Sequence, residues 1–205
     1  MAMFADMTRQ TATSGLPAAA TAGWEEIYDK IKVFNAHMAA HRYNEAEQFW
    51  EDLLVARQEI AAIVGHNNQQ MIMLAGNLGW WHLHRQNYAA AVKELAENLE
   101  YRKLKFGLED SRTLFTAASL AIAMFYANDD DDEALPLLQQ TVITMRERYG
   151  NELDTIEFTN HLVIMLFECA RVAEGKELHS SVSILANSTL GPDHPTSIWI
   201  RDTYI

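Results

Sequence analysis

Histidines supply the first candidates for chemistry in this chain, because neutral imidazoles bind metal ions and transfer protons. His37 and His41 stand four residues apart, a spacing that places two zinc ligands on one face of a helix. No third ligand is evident near them, and no Glu stands between them as in catalytic zinc motifs. His82 and His84 are two residues apart, so a helix would point them to different sides. The sequence therefore predicts no metal site and no bound cofactor.

Acidic and nucleophilic residues give no stronger signal for catalysis. The run Asp129 to Asp132 could attract Ca²⁺, but it lacks the spaced ligands and glycine of a calcium loop, and a solvated helix start explains it better. Glu168 and His161 lie seven residues apart on one helix face and could form an acid–base pair, although such pairs often arise by chance. Cys169 lies among apolar residues, as a packed thiol does. The sequence also lacks a phosphate-binding glycine loop, so it favours a non-catalytic protein over an enzyme.

Composition excludes several classes of partner. The chain is 49% apolar and 21% charged, which is enough apolar material to bury a sizeable core. Its 28 acidic and 16 basic residues give a formal net charge of -12. Nucleic acids and anionic membrane surfaces are both bound largely through Lys and Arg. The charge therefore argues against either partner.

The chain's single cysteine, Cys169, excludes an internal disulfide framework and fits a reducing compartment. No apolar run reaches the length of a membrane span, and the N-terminus lacks the apolar core of a secretion signal. These features predict a cytoplasmic protein. Residues 1 to 23 are rich in Ala, Thr, Ser and Met and are predicted to form a flexible arm.

The strongest pattern in the sequence is a repeat of about 42 residues. Gly65, Gly107, Gly150 and Gly191 are spaced by 42, 43 and 41 residues, and each stands where a helix end favours a left-handed residue. Apolar residues between them recur at intervals of three, four and seven, which is the helical period. The predicted helix pairs are 24–41 with 43–64, 67–85 with 88–106, 110–127 with 132–149, and 153–170 with 173–189, followed by a single helix 195–205.

A second marker recurs at the middle turn of each pair. Small residues stand at Ala46, Ala91, Ala134 and Gly175, and four residues later come Trp50, Leu95, Leu138 and the poorly matching His179. Asn77-Leu78-Gly79, Tyr88 to Leu95, Phe167 to Arg171 and Gly191 to Thr196 carry the pattern best. Together they resemble the tetratricopeptide repeat (TPR), and the long period is similar to its kinesin-light-chain type. The resemblance covers about residues 25 to 205; HEAT-type repeats, of similar period, fit the second helix less well.

This resemblance implies an all-α, right-handed superhelical solenoid of four antiparallel helix hairpins plus a terminal helix. It also implies that the first helix of each pair lines a concave groove where a peptide binds. The asparagines and lysines that clamp a terminal carboxylate in chaperone-binding members are largely missing, so we expect an apolar groove that binds a peptide or a partner helix. The predicted partner-binding residues are Asn77, Trp80, His84, Phe125, Tyr126, Asn160, Ile164, Phe167 and Glu168.

Three alternatives remain open. The aromatic residues could be ordinary core, or the groove could be an enclosed pocket of a small-molecule receptor or enzyme. The protein could also be a structural dimerisation module. The terminal helix, with Ile198, Trp199, Ile200 and Tyr204, has no following partner, which predicts either self-association or a longer repeat array.

Overall fold

The computed structural model of this protein describes residues 18–39, 42–65, 69–128 and 131–203. Within these ranges the chain forms α-helices joined by short turns and no strand, which confirms the all-α prediction. The helices are α1 (Ala18–Ala39), α2 (Tyr43–Val64), α3 (Gln69–His84), α4 (Tyr88–Phe106), α5 (Ser111–Asn128), α6 (Asp131–Tyr149), α7 (Leu153–Glu168), α8 (Val172–Thr189) and α9 (Pro195–Asp202).

The helix boundaries follow the repeat pattern closely. Helices α2 and α4 begin and end at the predicted residues, and α3, α5, α6, α7 and α8 differ from prediction by at most two residues. Helix α1 begins at Ala18, inside the arm predicted over residues 1 to 23, because this stretch is rich in alanine, the best helix former. Residues 1–17, His41, two of the four aspartates (129 and 130), and residues 204–205 lie outside the described residues.

The repeating glycines have the positive φ that their positions at the helix ends predict. Gly65, Gly107, Gly150 and Gly191 follow α2, α4, α6 and α8 with φ values of 83°, 91°, 73° and 94°. Gly65 and Gly107 combine this φ with ψ values of 151° and 168°, a region that is essentially restricted to glycine. These residues end one helix pair and redirect the chain into the next.

Two turns inside the helix pairs repeat each other in detail. Gln86 and Ala170 both have a φ of 58°, and they lie 84 residues apart, two periods of 42. The amide of Asn87 donates to the carbonyl of His82 at 2.8 Å, and the amide of Arg171 donates to Leu166 at the same distance. The left-handed residue lets the chain reverse within three residues. This conformation is the reason that α7 ends at Glu168 instead of the predicted residue 170.

The chain divides into two compact units, the first ending at Asn77 and the second beginning at Leu78. In the first unit, α1 packs on α2. One face of α1 is buried, and its large residues lie three or four positions apart: Trp24, Ile27, Ile31 and Phe34. The ring centroid of Phe34 lies 6.3 Å from that of Trp50 on α2.

In the second unit each helix from α4 to α9 packs on the next, and α5 also packs on α7. One core lies between α4 and α5 and includes Leu95, Leu99 and Leu120. Another joins α7, α8 and α9 through residues such as Ile156, Val182 and Ile200. Side chains about one period apart meet directly, as do the rings of Phe115 and Phe158, whose centroids are 5.0 Å apart. The sequence repeat therefore corresponds to repeated packing in this unit.

Candidate functional site

Three of the predicted site residues occupy equivalent positions in successive repeats. His84 is the last residue of α3, Tyr126 lies in the last turn of α5, and Glu168 is the last residue of α7. Each follows the preceding one by 42 residues. The predicted site is therefore concentrated at the C-terminal ends of the first helices of the pairs.

Tyr126 is the centre of a group of side chains that we call the Tyr126 cluster, comprising Tyr88, Phe125, Tyr126 and Glu168. The ring of Tyr126 stacks on that of Tyr88 at a centroid distance of 5.2 Å and an interplanar angle of 28°. It meets Phe125 edge to face at 5.1 Å. Its hydroxyl donates a hydrogen bond to Oε1 of Glu168 over 3.4 Å. Three of the four members were predicted, and Tyr88 joins them because it begins α4 beside the end of α5.

The electrostatics of the Tyr126 cluster are those of an accessible negative charge next to aromatic rings. Glu168 is exposed, while Tyr88 and Tyr126 are half-buried. Burial raises the pKa of Tyr88, and the negative charge of Glu168 raises it further. The phenol of Tyr88 is therefore neutral at physiological pH.

Trp80 and His84 form a separate aromatic pair on α3. Their rings lie nearly parallel, with centroids 6.2 Å apart and an interplanar angle of 19°. His84 is exposed and Trp80 is half-buried. The buried ring of Trp81 also lies 5.9 Å from His84. The four-residue spacing, one turn of helix, accounts for this contact and leaves part of both predicted residues accessible.

Two predicted site residues are packed inside the second unit. Phe125 is only 6% exposed, and Asn160 is completely buried. Nδ2 of Asn160 donates to the hydroxyl of Thr203 at 3.1 Å, and that hydroxyl donates to the carbonyl of Trp199. Asn160 thereby ties α7 to the end of α9. Neither side chain therefore offers a partner much accessible surface.

The remaining predicted residues lie at intermediate positions. Ile164 and Phe167 are half-buried on α7. Phe167 packs so closely on Gly175 that a Cβ there would lie 3.1 Å from its ring. Asn77 is 9% exposed and belongs to the first unit, whereas the other predicted residues belong to the second. The contacts described above join Tyr126 to Phe125 and to Glu168, and Trp80 to His84.

His161 does not form the acid–base pair considered with Glu168. Seven residues along a helix correspond to a rise of about 10 Å, too far for a hydrogen bond. Its ring lies instead 5.1 Å from that of Trp199 and 6.4 Å from that of Phe158. Burial among these rings lowers the pKa of His161 to about 4, so it is neutral at physiological pH.

A cleft of about 340 Å³ opens elsewhere in the second unit, between α6, α7 and α8. Its apolar lining comprises Val142, Ile143, Leu162, Leu166 and Leu178, and its polar lining comprises Gln139, Arg146, Thr159, Glu174, Glu177 and Ser181. None of the predicted site residues belongs to this cleft. Its position between two second helices is not marked by any motif in the sequence.

The described ranges contain no group of three His, Cys, Asp or Glu side chains arranged to hold a metal ion. His41, half of the pair considered for zinc, lies outside them. Among the helices of these ranges, none combines the length and the apolar character needed to cross a membrane. Comparison with protein-family models and with curated protein sequences found no match for the chain.

Proposed function

We propose that this protein is a non-catalytic, TPR-like scaffold that binds a peptide or helix of another protein along the surface of its first helices. The recurrence of His84, Tyr126 and Glu168 at the ends of three first helices carries this proposal. A surface that presents equivalent positions at regular intervals suits an extended partner, because successive repeats meet successive partner residues.

The half-buried aromatic residues are the proposed anchors. Trp80 and Tyr126 each keep part of the ring accessible, and both are fixed by neighbouring rings. Large aromatic side chains supply much of the binding energy in protein interfaces, particularly when they are held in place before binding. Glu168 and His84 are the proposed orienting polar groups.

A library of random peptides displayed on phage tests this proposal without knowledge of the natural partner. The wild-type protein and the variants Trp80→Ala and Tyr126→Ala would be compared after circular dichroism confirms their helical content. Ile184→Ala is the matched control, because Ile184 is 72% exposed on α8. We expect enriched peptides to bind at least about tenfold more weakly to one aromatic variant and equally well to the control. The proposal would be contradicted if no peptide were enriched on wild type. It would also be contradicted if the enriched peptides bound both aromatic variants as tightly as they bind wild type.

A small-molecule receptor is the second candidate function, and the cleft between α6, α7 and α8 is the observation that favours it. Its volume of about 340 Å³ lies near the lower end of the range for ligand pockets, roughly 300–1,000 Å³. Screening metabolites by thermal shift would test this function, with Ile143→Trp as a variant that fills the cleft. A ligand that stabilises wild type and this variant equally would not bind there.

Self-association through α9 is a further part of the proposal. Ile198 and Trp199 are 37% and 36% exposed on this helix. A second copy covering this apolar patch would remove it from water. Light scattering over a concentration series measures the association, and a constant monomer mass would exclude it. The single cysteine supports a reducing compartment such as the cytoplasm as the place of action.

A further inference from the structure

The Tyr126 cluster lies at the C-terminal ends of α5 and α7, each the negative pole of its helix, and at the start of α4, whose pole is positive. Helices α5 and α7 both end here, as the contact between Tyr126 and Glu168 shows. Neither helix has a basic residue in its last turn. By contrast, the last turn of α4 carries two lysines and that of α6 carries two arginines. A cation near the end of α5 or α7 would therefore supply a favourable interaction that α4 and α6 provide for themselves.

Glu168 adds a full negative charge to this place. It is exposed, and within the described ranges it forms no ion pair with Lys or Arg. Arg171, three residues further on, is engaged elsewhere, since its Nε donates to Glu174 at 2.7 Å. A carboxylate at the negative end of a helix is unfavourable by itself. An incoming cation would interact favourably with the carboxylate of Glu168 and with the C-terminal end of α7.

The tyrosine rings complete a site suited to an organic cation. The stacked rings of Tyr88 and Tyr126 lie beside the carboxylate, and aromatic faces attract ammonium and guanidinium groups. The net charge of -12 attracts basic partners to the protein as a whole. The same features disfavour an acidic peptide.

We propose that the Tyr126 cluster binds the guanidinium or ammonium group of an Arg or Lys side chain in the partner peptide. This inference rests on the proposed function and specifies the chemistry of its partner. Glu168 supplies the ion pair, and Tyr88 and Tyr126 supply the aromatic surface against which the cation lies.

The test begins with the peptides that the wild-type protein enriches from the random library. We expect Arg or Lys in these peptides more often than in the input library. One such peptide would be synthesised with its Arg replaced by citrulline, which has nearly the same shape and no charge. On wild type the replacement should weaken binding about threefold to tenfold, the range for an exposed ion pair together with a cation–π contact.

Glu168→Gln completes a double-mutant cycle and keeps an oxygen that accepts the Tyr126 hydrogen bond. On this variant the replacement of Arg by citrulline should weaken binding less than on wild type, by about twofold, because the ion pair is absent and only the cation–π contact with the tyrosine rings remains. Glu147→Gln is the control for net charge, since Glu147 is exposed on α6. On this control the full effect of citrulline should remain.

The outcomes separate the two proposals. Enriched peptides that depend on Tyr126 but contain no excess of basic residues would support the proposed function and overturn the cation site. An equal effect of citrulline on wild type and Glu168→Gln would overturn it as well. A library without any enrichment would instead contradict the binding function on which the inference rests.

Discussion

The substitution Gly79→Ala tests the close packing of α3 on α4. A Cβ at Gly79 would lie 2.6 Å from Cγ and 2.9 Å from Cδ2 of Leu95, and 3.2 Å from its backbone nitrogen. Leu95 is completely buried, so its side chain has no open space into which to move. Overpacking of this kind costs about 1–3 kcal/mol, and such short distances place it near the upper end. Alanine recovers about 1 kcal/mol through its higher helix propensity, so we expect a net loss of about 2 kcal/mol.

Urea denaturation followed by far-UV circular dichroism would measure this loss, with tryptophan fluorescence as a second probe of unfolding. Leu95→Ala provides the partner variant, because it removes the atoms that the new methyl group would meet. In the Leu95→Ala background, Gly79→Ala should be neutral or stabilising by up to about 1 kcal/mol. Equal destabilisation in both backgrounds, or none in wild type, would refute the packing argument.

Three further predictions concern a backbone conformation and two titrations. Ala170→Gly should raise the free energy of unfolding by roughly 0.5–1 kcal/mol, because glycine adopts the positive φ of residue 170 without strain. As a control, Ala173→Gly in the first turn of α8 should lower the free energy of unfolding. His161 has a folded-state pKa of about 4, below its ordinary value of 6.5, so the unfolded state binds more protons between these values. Wild type should therefore lose roughly 1–3 kcal/mol of stability as the pH falls through this window, and urea midpoints of His161→Phe should show less of this loss. The hydrogen bond from Arg112 holds the pKa of Asp110 below its ordinary 3.8. Asp110 therefore stabilises the fold at pH values above 3.8, and this stabilisation is lost as the pH falls through the folded-state pKa. Asp110→Asn should be less stable than wild type at pH 7 and should match it at strongly acidic pH; a constant difference would contradict this cause.

The sequence was sufficient to predict most helix boundaries. Glycines about 42 residues apart mark real helix ends, since each has the positive φ that only glycine adopts without strain. Composition gave a wrong prediction for the start of α1. The alanine-rich stretch was predicted to be part of a flexible arm, but from Ala18 it forms the first turns of this helix. At residue 170 the helical pattern continues, but an alanine in the left-handed region ends α7 earlier. That conformation depends on the hydrogen bonds of the turn, which the residue type does not reveal.

The candidate site was predictable at the level of helix ends and less so for individual side chains. Phe125 and Tyr126 are neighbours, and both were predicted as anchors, yet one is 6% exposed and the other half-buried. Which of them faces outward depends on how far α5 is rotated against its neighbours, and a single sequence does not determine that rotation. Asn160 was predicted to line the groove because of its repeat position on a first helix. Its amide is instead buried against Thr203, and only the packing of α9 brings that hydroxyl within reach.

The repeated packing of the second unit also bears on how the chain folds during synthesis. The ring contacts and side-chain hydrogen bonds described in this unit join residues no more than 43 positions apart, the interval from Phe115 to Phe158 and from Asn160 to Thr203. Chains dominated by such short sequence separations fold rapidly, because closing a short loop costs little entropy. Each helix pair therefore finds its packing partners soon after the next pair leaves the ribosome. The order of synthesis and the order of assembly should coincide.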